Sequence, residues 1–271
     1  MKTLIRSLSP LAVNAVPAIG WFLEGWSSGT MMLVYWFETV ASTFFIAGRI
    51  LLHRRFVPCR GHFHHAGRSG TGQSSSGSFL SNFLTINLLF SAAHGFFLGM
   101  ILLLLTLNGR SAEIGLDGHS ILAGCGGVLL FLAVGFAMDL PGLRKRPFYW
   151  VERMAEGNFA RIAVMQLALI FGLAVAAFTD APRAFFGVFL ALKTLNDLNA
   201  VVPQWNPDEP PRWLCWLMDK IPADPKAVRK GETFAEFWKR DKAAELNRRR
   251  ANELLIDRAA AEASTSRTAV D

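Results

Sequence analysis

Ser81–Leu107, SNFLTINLLFSAAHGFFLGMILLLLTL, is the stretch whose reading decides the fold. It is apolar almost throughout, and His94 is its one titratable side chain. At about 1.5 Å per residue, a helix of this length crosses a hydrocarbon core with a turn or more in hand. Its polar residues are ordered. Asn87, Ser91 and His94 recur at i, i+4, i+7 and so share one helix face. Ser91, Gly95 and Gly99, spaced by four, form a ridge of small residues beside that face, of the kind that lets backbones approach closely in lipid. The stretch reads as the central span of an all-α, polytopic membrane bundle.

Composition agrees. The chain has 271 residues, 52% of them hydrophobic, and a mean hydropathy of +0.30. A soluble domain averages roughly 45–50% apolar even with glycine counted in, and here the excess is concentrated in runs. The net charge of +7 gathers at both ends and in two loops. A nucleic-acid binder of the same charge would carry it on a folded polar domain, and no such domain of any size is visible, so no nucleic acid is expected. The three cysteines, Cys59, Cys125 and Cys215, are far apart and odd in number, which excludes a disulfide framework and a CxxC metal pattern.

Working outward, apolar segments fall at about residues 10–26, 30–52, 80–107, 120–140, 162–178 and 183–202. The first follows Lys2 and Arg6 and has Ala15 and Ala18 spaced as a cleavage site, so a signal peptide is an alternative, which would leave five spans. A retained span is preferred, because the next begins only a few residues on. Between spans two and three, residues 53–78 are basic and then Gly/Ser-rich, a loop composition. Residues 142–161, GLRKRPFYWVERMAEGNFAR, read as a basic, aromatic loop at headgroup level. Beyond residue 202 the chain turns polar. A proline-broken segment with Trp205, Trp213 and Trp216 suits the membrane interface, and a charged helix is expected over about 230–263. Glu236 with Arg240, and Glu245 with Arg249, are helical i, i+4 pairs there.

Charge gives the orientation. The N-terminus, the 53–78 loop, the 141–161 loop and the C-terminus are basic, and the other three connections are short with few cations. Six spans put all four basic segments on one side, which the positive-inside rule makes cytoplasmic. The expectation is a cell (inner) membrane protein with residues 1–202 as the bundle, residues 203–271 as a tail, and both ends inside.

Ionisable groups at the middle of a span cost roughly 2.5–3.5 kcal/mol each on insertion scales, so they ask for partners. Glu38, His94 and Lys193 fall near the middle of spans two, three and six and are expected to meet there. Asp139, Gln166 and Asp197 fall nearer the cytoplasmic side, and Asn87 is a neutral helper. Lys193 and Asp197 are i, i+4 on one helix and suit a pair. Such a layer is either structural glue between helices or a proton- or ion-responsive site, and no spacing motif separates the two. A second ridge, Ala168, Gly172 and Ala176, offers with the first a route to a homo-oligomer.

Cys59, His62, His64 and His65 are metal-ligand types within seven residues. On a Gly/Ser-rich loop the solvated reading outweighs the metal one, and no metal or cofactor is expected. Arg248, Arg249 and Arg250 fit a solvated helix face beside an anionic leaflet. There is no Walker loop, GxSxG or HExxH. A 3+3 inverted repeat is topologically allowed, without an internal sequence match to support it.

Three short patterns occur together: Tyr35-Trp36-Phe37-Glu38, Phe90-x-x-x-His94-Gly95 and Leu192-Lys193-Thr194-x-x-Asp197. With them the chain resembles a family of prokaryotic multi-pass membrane proteins of unknown function, over roughly residues 10–200. The resemblance implies a membrane bundle and supplies no activity. Relatives often carry His-Tyr-Gly where this chain has Ile86-Asn87-Leu88, and a histidine near Gln166. Of any histidine site the family shares, only His94 is kept here. The functional expectation is a small transporter or permeation protein. The alternative is a scaffold or assembly subunit. A membrane enzyme acting on a lipid-like substrate, with His94 or Asp139 as acid or base, ranks below both.

Overall fold

A computed structural model of the chain describes residues 19–20, 23–66, 78–107, 109, 115–179, 207, 209–220 and 231–256, with the backbone alone at 28, 101, 105 and 164–179. The expected first span falls largely, and the sixth wholly, outside the described residues. Six α-helices occur among the described residues: α1 Ser28–Phe56, α2 Phe79–Leu107, α3 Gly118–Asp139, α4 Phe148–Thr179, α5 Arg212–Met218 and α6 Phe234–Glu253. Two 3-10 turns, Arg60–His62 and Leu140–Lys145, complete them. The one β feature there is an isolated antiparallel bridge, Cys59 to Leu255.

The chain forms two compact units. The first comprises Met1–Phe56, Leu80–Arg146 and Trp150–Pro203. Among the described residues, three helical stretches, Gly29–Phe56, Phe79–Leu104 and Gly118–Lys145, are long and apolar enough to cross a membrane. Their burial runs opposite to their apolarity. The α1 window is 50% buried, that of α2 24% and that of α3 17%, although α1 is the least apolar of the three. In water the most apolar helix would be the most hidden. A helix facing lipid keeps its greasiest residues outward and turns its polar ones to its neighbours. Of these three helices α1 is the most buried, whereas the 81–107 stretch is the one that reads as central in sequence.

Packing around α1 depends on small residues. The Trp36 indole donates a 2.9 Å hydrogen bond to the Ser91 carbonyl of α2. A Cβ on Gly95 would meet that indole at 2.7 Å, so the absence of a side chain there is what admits the ring. On the other side, Trp26, Val34 and Val128 cluster with Phe37, Cys125 and Leu132, and a Cβ on Gly124 would meet Trp26 at 2.6 Å. Asp117 caps α3 by accepting from the His119 and Ser120 amides. The turn before it is fixed to the start of α1, where the Ser27 and Thr30 hydroxyls both donate to the Gly115 carbonyl.

The fourth long helix departs from expectation. α4 begins at Phe148, about four turns before Ile162, so most of the expected 142–161 loop is helix. Over the part of α4 whose side chains are described, Phe148, Val151, Glu152, Ala155, Asn158 and Ile162 are buried, a helical stripe that the flanking charges hide in sequence.

The second unit comprises Val57–Phe79, Pro147–Tyr149 and Gln204–Asp271. Its helix α6 opens on a capping box formed by Thr233 and Glu236. Arg240 therefore pairs with Glu232, at 2.8 Å, and not with Glu236. Glu245 does hold Arg249, at 2.6 Å, and Arg248 at 2.7 Å. The hydrogen bond from Arg248 leads in drawing the Glu245 carboxyl down to about 2, against the opposing effect of burial and with help from Arg249. The helix ends at Glu253, earlier than expected, because Leu254–Ile256 turns extended and pairs with the 53–78 loop. The Arg60 amide donates to the Leu254 carbonyl at 2.7 Å, and the Ile256 amide to the Pro58 carbonyl at 3.0 Å.

Candidate functional site

The polar side chains of α1, α2 and α4 converge on Asn158, which is 2% exposed. Its Oδ1 accepts from the Ser42 hydroxyl at 3.0 Å, and its Nδ2 donates to Thr43 Oγ1 at 3.1 Å and to Asn87 Oδ1 at 2.9 Å. Asn87 in turn donates from Nδ2 to the Phe83 carbonyl at 2.8 Å. One amide thus joins three helices with its hydrogen-bonding capacity largely spent. Asn87, Ser91 and His94 are all buried on one face of α2. The Ser91 hydroxyl has no hydrogen-bond partner among the described residues.

Glu38 is 1% exposed. Its Oε1 lies 3.8 Å from Nη1 of Arg161, whose side chain is 22% exposed. In sequence Arg161 falls at the end of the basic 142–161 segment, and only Glu38, His94 and Lys193 suggest themselves as a layer. The early start of α4 places that arginine one turn beyond Asn158, on the helix that also carries the hub. Lys193 and Asp197 lie outside the described residues, and of Gln166 only the backbone is described.

Asp139 is held from both sides. Its Oδ2 accepts from Nε of Arg49 at 3.0 Å and its Oδ1 from Nη2 of Arg146 at 2.9 Å. Arg49 also lies over the Phe136 ring, 5.3 Å from its centroid, and Arg146 over Trp150 at 3.7 Å. His53 Nε2 is 3.0 Å from the Arg146 carbonyl. A carboxylate with a guanidinium on each oxygen is a brace, and this geometry leaves little of it for acid or base chemistry. Arg49, near the end of the 30–52 span, is the partner that sequence reasoning missed.

In the second unit, Cys59 and His62 are each 1% exposed. The His62 ring stands edge-on to Phe148 at 4.8 Å, and His65 lies 4.8 Å from Phe79. These rings pack on aromatics, His64 is exposed, and no group of three His, Cys, Asp or Glu among the described residues is placed to hold a metal ion. Burial, aided by the Glu253 charge, pushes the Cys59 thiol up to about 11, so it stays protonated and unreactive at neutral pH. The Glu253 carboxylate accepts from the amides of Phe148 and Tyr149, both at 2.9 Å, and so caps α4. An anion at that position satisfies two orphan amides and complements the helix dipole.

Fold and site together define an all-α protein that has, among its described residues, three helices of membrane-spanning length and apolarity, with buried polar groups gathered between helices. The chain belongs to a family of unknown function, DUF6498, which matches residues 2–212. No curated protein and no solved structure matches the chain.

Proposed function

We propose that the protein is a six-span membrane protein, with both ends and α6 on the cytoplasmic side of the cell membrane, and that it passes protons or small ions along the layer around Glu38. The membrane reading is supported by the outward faces of α2 and α3. Leu89 is 67% exposed, Phe96 66%, Leu122 75% and Leu130 62%, a surface that only lipid would cover comfortably over such length. The observation that carries the permeation reading is the Glu38–Arg161 pair. Removing two charges from water costs several kcal/mol per ion, recovered only with close geometry. Asp139 has that geometry. The 3.8 Å between Glu38 Oε1 and Arg161 Nη1 exceeds a direct hydrogen bond, and a buried carboxylate whose oxygen is not closely bonded to the facing guanidinium is the kind of group that can take up a proton or meet a passing ion.

The test is proton uptake into proteoliposomes carrying a trapped pH dye, driven by a potassium diffusion potential. Wild type should acidify the lumen, and Glu38→Gln should slow this by roughly tenfold or more, about 1.4 kcal/mol in barrier terms. Glu38→Asp should keep part of the flux. Undiminished uptake in a folded Glu38→Gln protein would refute the reading.

A scaffold role is the second reading, favoured by the closed hydrogen bonding around Asn158 and Asp139. Any partner contact through the α2 ridge must then use Gly99, where an added Cβ meets nothing within 4 Å, because Gly95 is occupied by Trp36. Gly99→Leu is expected to dissociate an oligomer while leaving the monomer's thermal stability unchanged. Gly95→Ala is expected to cost about 1–3 kcal/mol by overpacking, whatever the oligomeric state. Light scattering in detergent and melting curves separate these outcomes.

A further inference from the structure

The C-terminal end of α1 and the 3-10 turn after α3 carry cations that the interior braces do not use. Contacts at three levels hold the two segments together: Arg49 on Asp139, His53 on the Arg146 carbonyl, and the Arg144 guanidinium over the Phe56 ring at 4.6 Å. Arg55, Arg144 and Lys145 are exposed. None of the three has an ion-pair partner among the described residues, and Asp139, the acid between the segments, is already taken by Arg49 and Arg146.

Apolar surface borders these cations. Leu51 is 54% exposed, one turn before Arg55, and Leu140 is 37% exposed at the start of the turn that carries Arg144 and Lys145. Phe56, also 37% exposed, sits beneath the Arg144 guanidinium. The surface thus grades from leucine to aromatic ring to guanidinium within about two helical turns, or roughly 10 Å. A phospholipid shows the complementary gradient, from acyl chain to glycerol to phosphate. Guanidinium forks suit phosphate oxygens, and basic clusters at helix ends on the cytoplasmic side are where anionic headgroups bind. A free phosphate would leave Leu51 and Leu140 uncovered.

We propose that the end of α1 and the turn after α3 form a binding site for an anionic phospholipid, its phosphate held by Arg55, Arg144 and Lys145 and its acyl chain laid against Leu51 and Leu140. The proposal rests on the membrane reading above.

The full chain is reconstituted in nanodiscs of phosphatidylcholine with a minority of phosphatidylglycerol, then extracted in mild detergent, and the retained lipid is quantified by mass spectrometry. Wild type should retain phosphatidylglycerol over phosphatidylcholine by roughly tenfold relative to the input, a size set by a few phosphate-directed cations. The triple variant Arg55→Gln/Arg144→Gln/Lys145→Gln should lose that enrichment while still melting cooperatively, with at most a small drop in melting temperature from the lost Arg144–Phe56 contact. Lys239→Gln/Arg250→Gln, which removes as exposed a pair of cations from α6, should keep it. Excess inorganic phosphate should leave the lipid in place. Retained enrichment in a folded triple variant, no enrichment in wild type, equal loss in the α6 control, or displacement by phosphate overturns the site. A wild-type chain that does not enter nanodiscs of either composition counts against the membrane reading instead.

Discussion

Asp139→Ala is expected to destabilise the folded chain by about 3–5 kcal/mol, the usual cost of leaving a buried charge without its partner. The reason is that one deletion strands two cations. The Arg49 and Arg146 side chains are only 10% and 12% exposed, and with the carboxylate gone their guanidinia face each other across the space it filled. Neither is easily neutralised, because a guanidinium does not give up its proton in a protein. The Phe136 and Trp150 faces would still receive them, but a cation–π contact is worth about 0.5–2 kcal/mol and does not cancel a second positive charge. Asp139→Asn keeps the shape, loses the charge, and should fall between wild type and alanine. Replacing all three groups together, as Arg49→Met/Asp139→Leu/Arg146→Met, should recover most of the loss, since a dry apolar triad carries no desolvation cost. His53 would keep its contact, because it is to the backbone of residue 146. Circular dichroism melts in detergent micelles measure the series. An alanine variant within about 1 kcal/mol of wild type would mean that the brace is effectively solvated, like a surface ion pair.

This brace shows what was legible in the sequence and what was not. Hydropathy marks α1, α2 and α3 plainly, because lipid-length apolar runs admit few other readings. Hydropathy does not rank the three by burial. It ranks α1 last of the three by greasiness, whereas burial among membrane helices follows the polar residues, and α1 carries Glu38, Thr39, Ser42, Thr43 and Arg49. Charge was the second source of error. Read as a string, residues 142–161 are a basic loop. Read at helical spacing, Phe148, Val151, Ala155, Asn158 and Ile162 form an inward stripe while Glu156 and Gly157 are exposed. Orientation rules weigh the cations of such a segment and pass over its period. The capping of α4 by Glu253 was beyond sequence reasoning of any kind, since it joins residues more than a hundred positions apart through two backbone amides. It also ties the end of α6, which lies beyond the stretch the family matches, to a helix within that stretch.

Asn158→Ala carries the second large effect, about 3 kcal/mol. Two contributions make it up. The variant loses hydrogen bonds to Ser42, Thr43 and Asn87, which in membrane bundles average about 0.6 kcal/mol each. It also strands Asn87 Oδ1 without its donor in a site 2% exposed, at about 1–3 kcal/mol. Ser42 and Thr43 suffer less, because each hydroxyl also bonds the Thr39 carbonyl of its own helix, at 3.2 and 3.0 Å. The asymmetry gives a sharper test than the single variant. If the penalty is mainly the orphaned Asn87 amide, then Asn87→Leu in the Asn158→Leu background removes both members of the pair and should restore stability by about 1–2 kcal/mol over Asn158→Leu alone. If the penalty is mainly lost packing, the double variant should sit at the sum of the two single ones. Non-additivity in a double-mutant cycle therefore decides whether α4 is fixed to α1 and α2 by its polar hub or by the apolar residues that flank it, and an additive cycle would remove the hub from the account.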